Sequence, residues 1–443
     1  MQNTPHAQPA RQISLWDGIC LIVGIMVGAG IFESSPQVAR NAPNETALVL
    51  LWIAGGLLSL LGAVTYAGLG RAIPQVGGDY AYLKQGFGER VGFWYAWTML
   101  TVVRPGNLGA MAYVFAHYAQ QIAPLGSSGL VFYAAGAIIL LSLLNALGTR
   151  QGKGIQNWLT STKVIGIGIL VALALGMTAG PVDTATPAAP AQVSWIGALI
   201  FVLFAYGGWN EIAFVTAELK NPEKNLPRAL VLGTLAVTVL YTVVNLGFLH
   251  ALGFSGLQNA DAVAHTIAAT RLWGWGGVFV SVLIAVSALG AVHGMIFSGA
   301  RIYYAMGQDH PLFSRLGEWS ERGAPLWSIA AESSITVALM ILFSQTRSGF
   351  ESLVLYTTPL FWFFTGFVCI AAFRLPGVKA HIPGYPWVPL AFFLISVFLF
   401  VVSVQYAYEN GSSEILWSIG LLLAGVVLER VEAWRRGPRI AVE

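Results

Sequence analysis

Two glycine-bearing stretches hold the groups that could do chemistry: GIMVGAGIF at Gly24–Phe32 and FAYGGWNE at Phe204–Glu211. Glycine in a helix interior costs about 1 kcal/mol relative to alanine. Gly24, Gly28 and Gly30 within seven residues therefore predict an interruption, and Gly207 with Gly208 predict a second. A gap in a helix frees N–H groups on one side and carbonyl oxygens on the other, and these can hold ligand charges without a charged side chain. Close helix packing is the plainer use of small residues, but two clusters in matching segments favour breaks. Arg104, Lys163, Glu211, His293 and Glu332 are ionisable residues inside apolar sequence. No His/Asp/Glu or Ser/His/Asp cluster stands among them, so neither an enzyme nor a metal or cofactor site is expected. Cys20 and Cys369 both fall in apolar runs, which argues against a disulfide framework or zinc.

The elements that must position these groups are membrane helices. Of the 443 residues, 56% are hydrophobic and only 10% charged, with a mean hydropathy of +0.68, against about 25% charged in a soluble domain. Twelve apolar segments can be marked: 14–40, 46–70, 91–122, 128–148, 156–180, 194–218, 228–252, 273–305, 326–345, 351–373, 387–408 and 413–433. They are numbered 1 to 12 below. Barrel strands would alternate over ~10 residues, whereas these runs are continuous. The polar start MQNTPHAQPARQ lacks a small-residue cleavage site, so segment 1 reads as a retained span. Of the 23 Lys and Arg, eighteen fall on one side of this arrangement, three (Arg40, Arg271, Arg347) on the other, and Arg104 and Lys163 inside segments. Positive charge gathers at the cytoplasmic face, which places both termini there. The net charge of +3 points to no nucleic-acid partner. Segments 1 and 6 are five apart, and an odd number of spans per repeat inverts the second copy. Interrupted helices at matching places in two inverted halves are a pointer to a transporter site.

Several stretches together resemble the amino acid–polyamine–organocation superfamily, and within it the L-type amino-acid transporter branch. They are GIMVGAGIF in segment 1, FAYGGWNEIAFVTAELKNPEKNLPRAL (204–230) across segment 6, VVRPGNLGAMAYVFAHY (102–118) in segment 3 and NWLTSTKVIGI (157–167) in segment 5. The resemblance implies an all-α, LeuT-like 5+5 inverted repeat: 1–13 as a cytoplasmic tail, 14–180 as the first repeat, 194–373 as the second, 387–433 as segments 11 and 12, and 434–443 as a second tail. It also implies alternating access and sodium-independent exchange of neutral L-amino acids in a cell (inner) membrane. A proton-coupled carrier, or one for cationic amino acids or polyamines, is the alternative on the same fold, with Glu211 as its main support.

A zwitterion in a poorly hydrated place needs partners for both charges, since unpaired charges there cost several kcal/mol. The free amides of Gly28, Ala29, Gly30 and Ile31 at the start of a helix suit a carboxylate, and the carbonyls of Ile25, Met26, Phe204, Ala205 and Gly207 suit an ammonium. The family pattern makes Phe204 an aromatic gate and places Asn210 in the cavity wall. Trp209 reads as packing, and Tyr356, Phe361 and Trp362 are weak outer-gate candidates. Where some relatives have a hydroxyl residue in the segment-1 motif, this chain has Ala29, which leaves the backbone to hold the carboxylate.

Lys163 matches a lysine of the branch that reaches segment 1 near the place where sodium-coupled relatives hold an ion. Snorkelling to the cytoplasmic face is its plainer reading. Tyr241 is a candidate hydrogen-bond partner. Arg104 is either structural or gating, and Glu211 pairs with it, holds a proton, or biases the pocket toward cations. His293 and Glu332 receive no role. QVGGDYAYL (75–83) resembles a cytoplasmic loop that moves with gating. Eukaryotic members of the branch pair with a heavy subunit through a cysteine between segments 3 and 4. QQIAPLGSSGL (120–130) has none, so no disulfide-linked subunit is expected, and a monomer or weak homo-oligomer is.

Overall fold

Segment 1 begins at a capping box. The Ser14 hydroxyl accepts from the Asp17 amide at 3.2 Å, and the Asp17 carboxylate accepts from the Ser14 amide at 2.8 Å, satisfying amides that a helix start leaves unpaired. The helix Leu15–Met26 stops there, and Gly30–Asn41 continues at a bend of 51°. The computed structural model describes residues 9–126, 128–177, 193–260, 262–343, 349–409 and 414–436. Their regular elements are all helices. No strand occurs among the described residues, and the one β-type contact is an isolated bridge between Ile13 and Leu219.

Among the described residues, seven helices are long and apolar enough to cross a membrane, and the bent pair of segment 1 makes an eighth candidate. Gly129–Asn145 and Leu326–Leu342 are shorter apolar helices on segments 4 and 9. Large apolar side chains such as Phe132, Leu143, Trp158, Ile165 and Val239 cover the outside, while Lys163, Arg104, Glu332 and Arg301 are buried. Lipid cannot satisfy polar groups, so this arrangement puts them where protein partners exist. Parts of the predicted tails, residues 1–8 and 437–443, lie outside the described residues.

Three local departures from the sequence reading have physical causes. The helix of segment 5 runs from Thr149, seven residues ahead of the predicted boundary. Its first turns are polar because they bind: the Lys153 ammonium donates to Asp17 at 2.9 Å and to the Gln12 carbonyl at 2.8 Å. Segment 3 widens to a π turn at Met99–Val103 just before Pro105. Proline has no N–H to give the carbonyl four residues back, and that carbonyl, on Thr101, accepts from the Tyr356 hydroxyl at 2.9 Å instead. Finally, segment 6 resumes after its break as a 3-10 helix, Trp209–Glu218. Helices at Asp79–Phe87 and Val263–Leu272 lie between the predicted segments.

Candidate substrate site at two broken helices

The helix of segment 6 ends at Ala205 and the coil resumes at Trp209. Gly208, at φ +100°, makes the turn between them, and a Cβ there would meet the Ile25 side chain at 2.6 Å. Both the backbone angle, outside the usual reach of L side chains, and the closeness of segment 1 demand glycine. At Gly24 an added Cβ would run into the Gln156 amide and Thr160 hydroxyl groups, so its bare Cα lets segment 5 press against segment 1. The two breaks face each other. A methyl at Gly30 would lie 3.5 Å from Ala205 Cα and 3.9 Å from the Phe204 ring. Phe204 is 37% exposed and Gly207 is exposed, whereas Ile25, Met26, Gly28, Ala29 and Ile31 are buried and Asn210 is buried behind the break.

The predicted cradle is narrower than its glycines suggest. The Gly28 amide donates to the Met26 carbonyl at 2.8 Å, so it is already engaged. No side chain caps the helix that starts at Gly30, and the Phe32 amide donates to the Ala29 carbonyl at 3.0 Å, which leaves the Gly30 and Ile31 amides as the open donors. Among the carbonyls, Met26 accepts from the Tyr241 hydroxyl at 2.6 Å and Ala205 from the same hydroxyl at 3.1 Å. Tyr241 thus bridges the two gaps and does not bond to Lys163. The Phe204 carbonyl accepts from the Gly207 amide at 3.0 Å.

Lys163 is fully buried and does not snorkel. Its ammonium donates to the carbonyls of Gly24 at 2.7 Å, Val27 at 2.9 Å and Ser287 at 2.8 Å, using its three protons. It ends a polar row on the segment-5 helix. Asn157 donates to Asp17 at 2.6 Å and Thr160 to the Cys20 carbonyl at 2.9 Å, alongside the Lys153 contacts. Residues 153, 157, 160 and 163 follow helical i,i+3/i+4 spacing, a signal present in the sequence of which only the last member was singled out there. These side chains hold segment 1 at successive points up to its break.

Arg104 faces the interior, with Phe214 beneath its guanidinium at 5.6 Å. It donates to the Glu211 carboxylate, the Met295 carbonyl and the Ser298 hydroxyl, with Glu332 3.6 Å away. Glu211 is therefore paired and turned from the gap. Trp209 packs edge-on to Tyr66 at 4.9 Å and Phe392 at 5.5 Å, a packing residue rather than a pocket wall. Tyr356 is buried against segment 3, and Phe361 packs on Trp362 at 5.1 Å. His293 meets Gln156 at 2.9 Å.

At the end of the bundle nearest the N-terminus, backbone and side-chain bonds tie the segments together. The Ile13 amide donates to the Glu218 carbonyl at 2.9 Å, and the Lys220 amide donates to the Ile13 carbonyl at 2.8 Å. Glu218 takes two guanidinium bonds from Arg301, at 2.7 and 3.1 Å, and the Thr149 hydroxyl at 2.5 Å. Segments 1, 5, 6 and 8 meet there. In the loop 75–83, Tyr66 and Tyr95 donate to Asp79 at 3.0 and 3.1 Å. Burial still dominates and pushes this carboxyl up to about 7.

The sequence pattern of the family described as amino acid permease matches residues 13–427. The chain is 30% identical over 386 residues to the serine/threonine exchanger SteT of Bacillus subtilis, covering 86% of this chain and 88% of that protein. It is 28% identical over 431 residues to mouse b(0,+)-type amino acid transporter 1 (94% and 87% covered). To human large neutral amino acids transporter small subunit 2 it is 29% identical over 437 residues (94% and 79% covered). With broken helices facing each other across bare backbone and a match along nearly its whole length, the chain belongs to the amino acid permease family, in the L-type branch of the amino acid–polyamine–organocation superfamily.

Proposed function

We propose that the chain exchanges neutral L-amino acids across a membrane, independently of sodium, by alternating access. Twelve crossings in a 5+5 inverted repeat plus two, with both termini cytoplasmic, complete this reading. The substrate carboxylate would lie on the open amides at the start of Gly30–Asn41, and its ammonium on the Ile25, Phe204 and Gly207 carbonyls or the remaining lone pairs of Met26 and Ala205. Phe204 would cover it, and Asn210 would limit the side chain it accepts.

The observation that carries this reading is the Lys163 ammonium seated on the Gly24 and Val27 carbonyls. A fixed positive charge at the break supplies there what a bound cation would otherwise supply, and repels a second cation. Glu211 supports a neutral cargo, since Arg104 already takes its charge. The relatives' names, a serine/threonine exchanger and a large neutral amino acids transporter among them, support an amino-acid cargo. Cys20 and Cys369 are both buried, which leaves the 120–130 loop no thiol to link a second subunit and supports a transporter that acts without a disulfide-linked partner.

The test is a melting-temperature screen of purified protein against the common amino acids, followed by counterflow in liposomes. A ligand raises the melting point with its concentration over Kd. Stabilisation by small neutral amino acids, and counterflow that needs amino acid inside and is unchanged when potassium replaces sodium, is the expected result. Stabilisation only by arginine, lysine or putrescine, or uptake that stops without sodium, overturns it.

A further inference from the structure

Arg104, Glu211 and Glu332 form a buried group of one guanidinium and two carboxyls, 4%, 6% and 0% exposed. The partners of the two acids differ. Glu211 is saturated as an anion: one oxygen takes the Arg104 guanidinium and the other the Ser298 hydroxyl. Glu332 has neither. One of its oxygens shares the Tyr303 hydroxyl, at 3.4 Å, with the Met99 carbonyl at 3.2 Å and lies 3.6 Å from Arg104 Nε, and its other oxygen has no partner among the described residues. A bare carboxylate oxygen in dry surroundings costs several kcal/mol, and one guanidinium balances one acid. A protonated carboxyl removes the excess charge.

Among the described residues the surroundings offer no second positive charge. Segment 8 contributes Tyr303 and Ser298, and segment 10 contributes Tyr356, whose hydroxyl is spent on Thr101. Segment 4 brings Ser142, bonded to Ser333 at 2.5 Å. Asp79 of the 79–87 helix adds another carboxyl that interacts with Glu211 and Arg104. Gly299 leaves the room in which guanidinium and carboxyl meet, since a Cβ there would collide with both.

We infer that Arg104, Glu211 and Glu332 form a proton-binding site, with Glu332 holding the proton while Glu211 engages Arg104. Glu211 follows Asn210 on the coil of segment 6 directly after its break, whereas Arg104 and Glu332 sit on segments 3 and 9. If segment 6 shifts during transport, Glu211 leaves Arg104, the guanidinium turns to Glu332, and Glu332 releases its proton to water. Proton binding then sets the rate at which the two states interchange. One-for-one exchange runs the step in both directions, so pH alters the rate and moves no net protons. This coupling rests on the transport reading above, while the bound proton does not.

Infrared difference spectroscopy of the purified full-length protein tests the proton itself. The wild type shows the C=O stretches of protonated buried carboxyls, lost on raising pH, and one of them, distinct from the band that Asp79→Asn removes, is missing from Glu332→Gln. Its absence from the wild type, or persistence in the variant, overturns the site. Counterflow of a uniformly labelled mixture of all the common amino acids tests the coupling. The wild-type rate changes at least about fivefold between roughly pH 5 and 9, and Glu332→Gln, which mimics the neutral acid, stays active and changes less than about twofold. An unaltered pH profile in the variant overturns the coupling. Should the variant not fold, Tyr303→Phe, which removes one hydroxyl beside Glu332, must shift the infrared band; an unshifted band overturns the site. If no amino acid exchanges in the wild type, the transport reading falls with the coupling, and the infrared band alone decides the proton site.

Discussion

The Lys163 ammonium donates to the Gly24 carbonyl at 2.7 Å, and the bare Cα of Gly24 is what lets segment 5 come close enough for it. Neither residue explains the other's position without this bond. Lys163→Ala leaves the carbonyls of Gly24, Val27 and Ser287 without their shared donor, and unmade buried bonds cost about 1–3 kcal/mol each. Exchange in liposomes should fall at least about tenfold while the variant still elutes as a single folded species. Wild-type rates would remove Lys163 from the mechanism.

Tyr241→Phe deletes the one hydroxyl that spans both breaks. The ring, fully buried and edge-on to Trp52 at 5.5 Å, is kept. Counterflow should slow by about tenfold, as expected for loss of one or two bonds worth ~1 kcal/mol each, with little change in melting point. A large melting-point loss at an unchanged rate would make Tyr241 structural only.

Arg301→Met strands Glu218 inside the tied end of the bundle. Removing one partner of a buried ion pair costs about 3–5 kcal/mol, whereas Thr149→Ala removes the bond that its hydroxyl donates and the one that it accepts from Arg301, about 1 kcal/mol each. The melting temperature should drop in that order. Equal drops would show that the charge pair adds nothing to the hydroxyl.

Asp79 gives stability a pH dependence outside the membrane-spanning segments. Its carboxyl is pushed up from 3.8 to about 7 in the folded chain, chiefly by burial. The folded state thus binds a proton that the unfolded state has lost, so stability falls as pH rises between about 4 and 7 and is flat above. Asp79→Asn keeps an oxygen for Tyr66 and Tyr95 and should remove that slope. A slope of the same size in the variant would place its source elsewhere.

The breaks were legible because two glycine clusters stand in matching segments, where packing alone explains one but not both, and Lys163 because a lone lysine in apolar sequence needs partners. Arg104 stood out for the same reason. Its choice between Glu211 and Glu332 was not legible, because packing of segments 3, 6 and 9 brings the three together and no local pattern encodes it. The early start of segment 5 was hidden by polar residues that look like a loop until Asp17 and Gln12 supply their partners. The engagement of Gly28 by Met26 depends on backbone angles inside the gap, where composition says nothing.

Ile13 offers both its amide and its carbonyl to the residues that close segment 6. A tilt of either helix cannot stretch such a clasp gradually, because backbone hydrogen bonds lose most of their strength over a fraction of an ångström and weaken steeply off-axis. On the alternating-access reading proposed above, two must unzip together before this end of the bundle can widen. That toll would be the same for every cargo, a threshold that ligand binding elsewhere would have to meet.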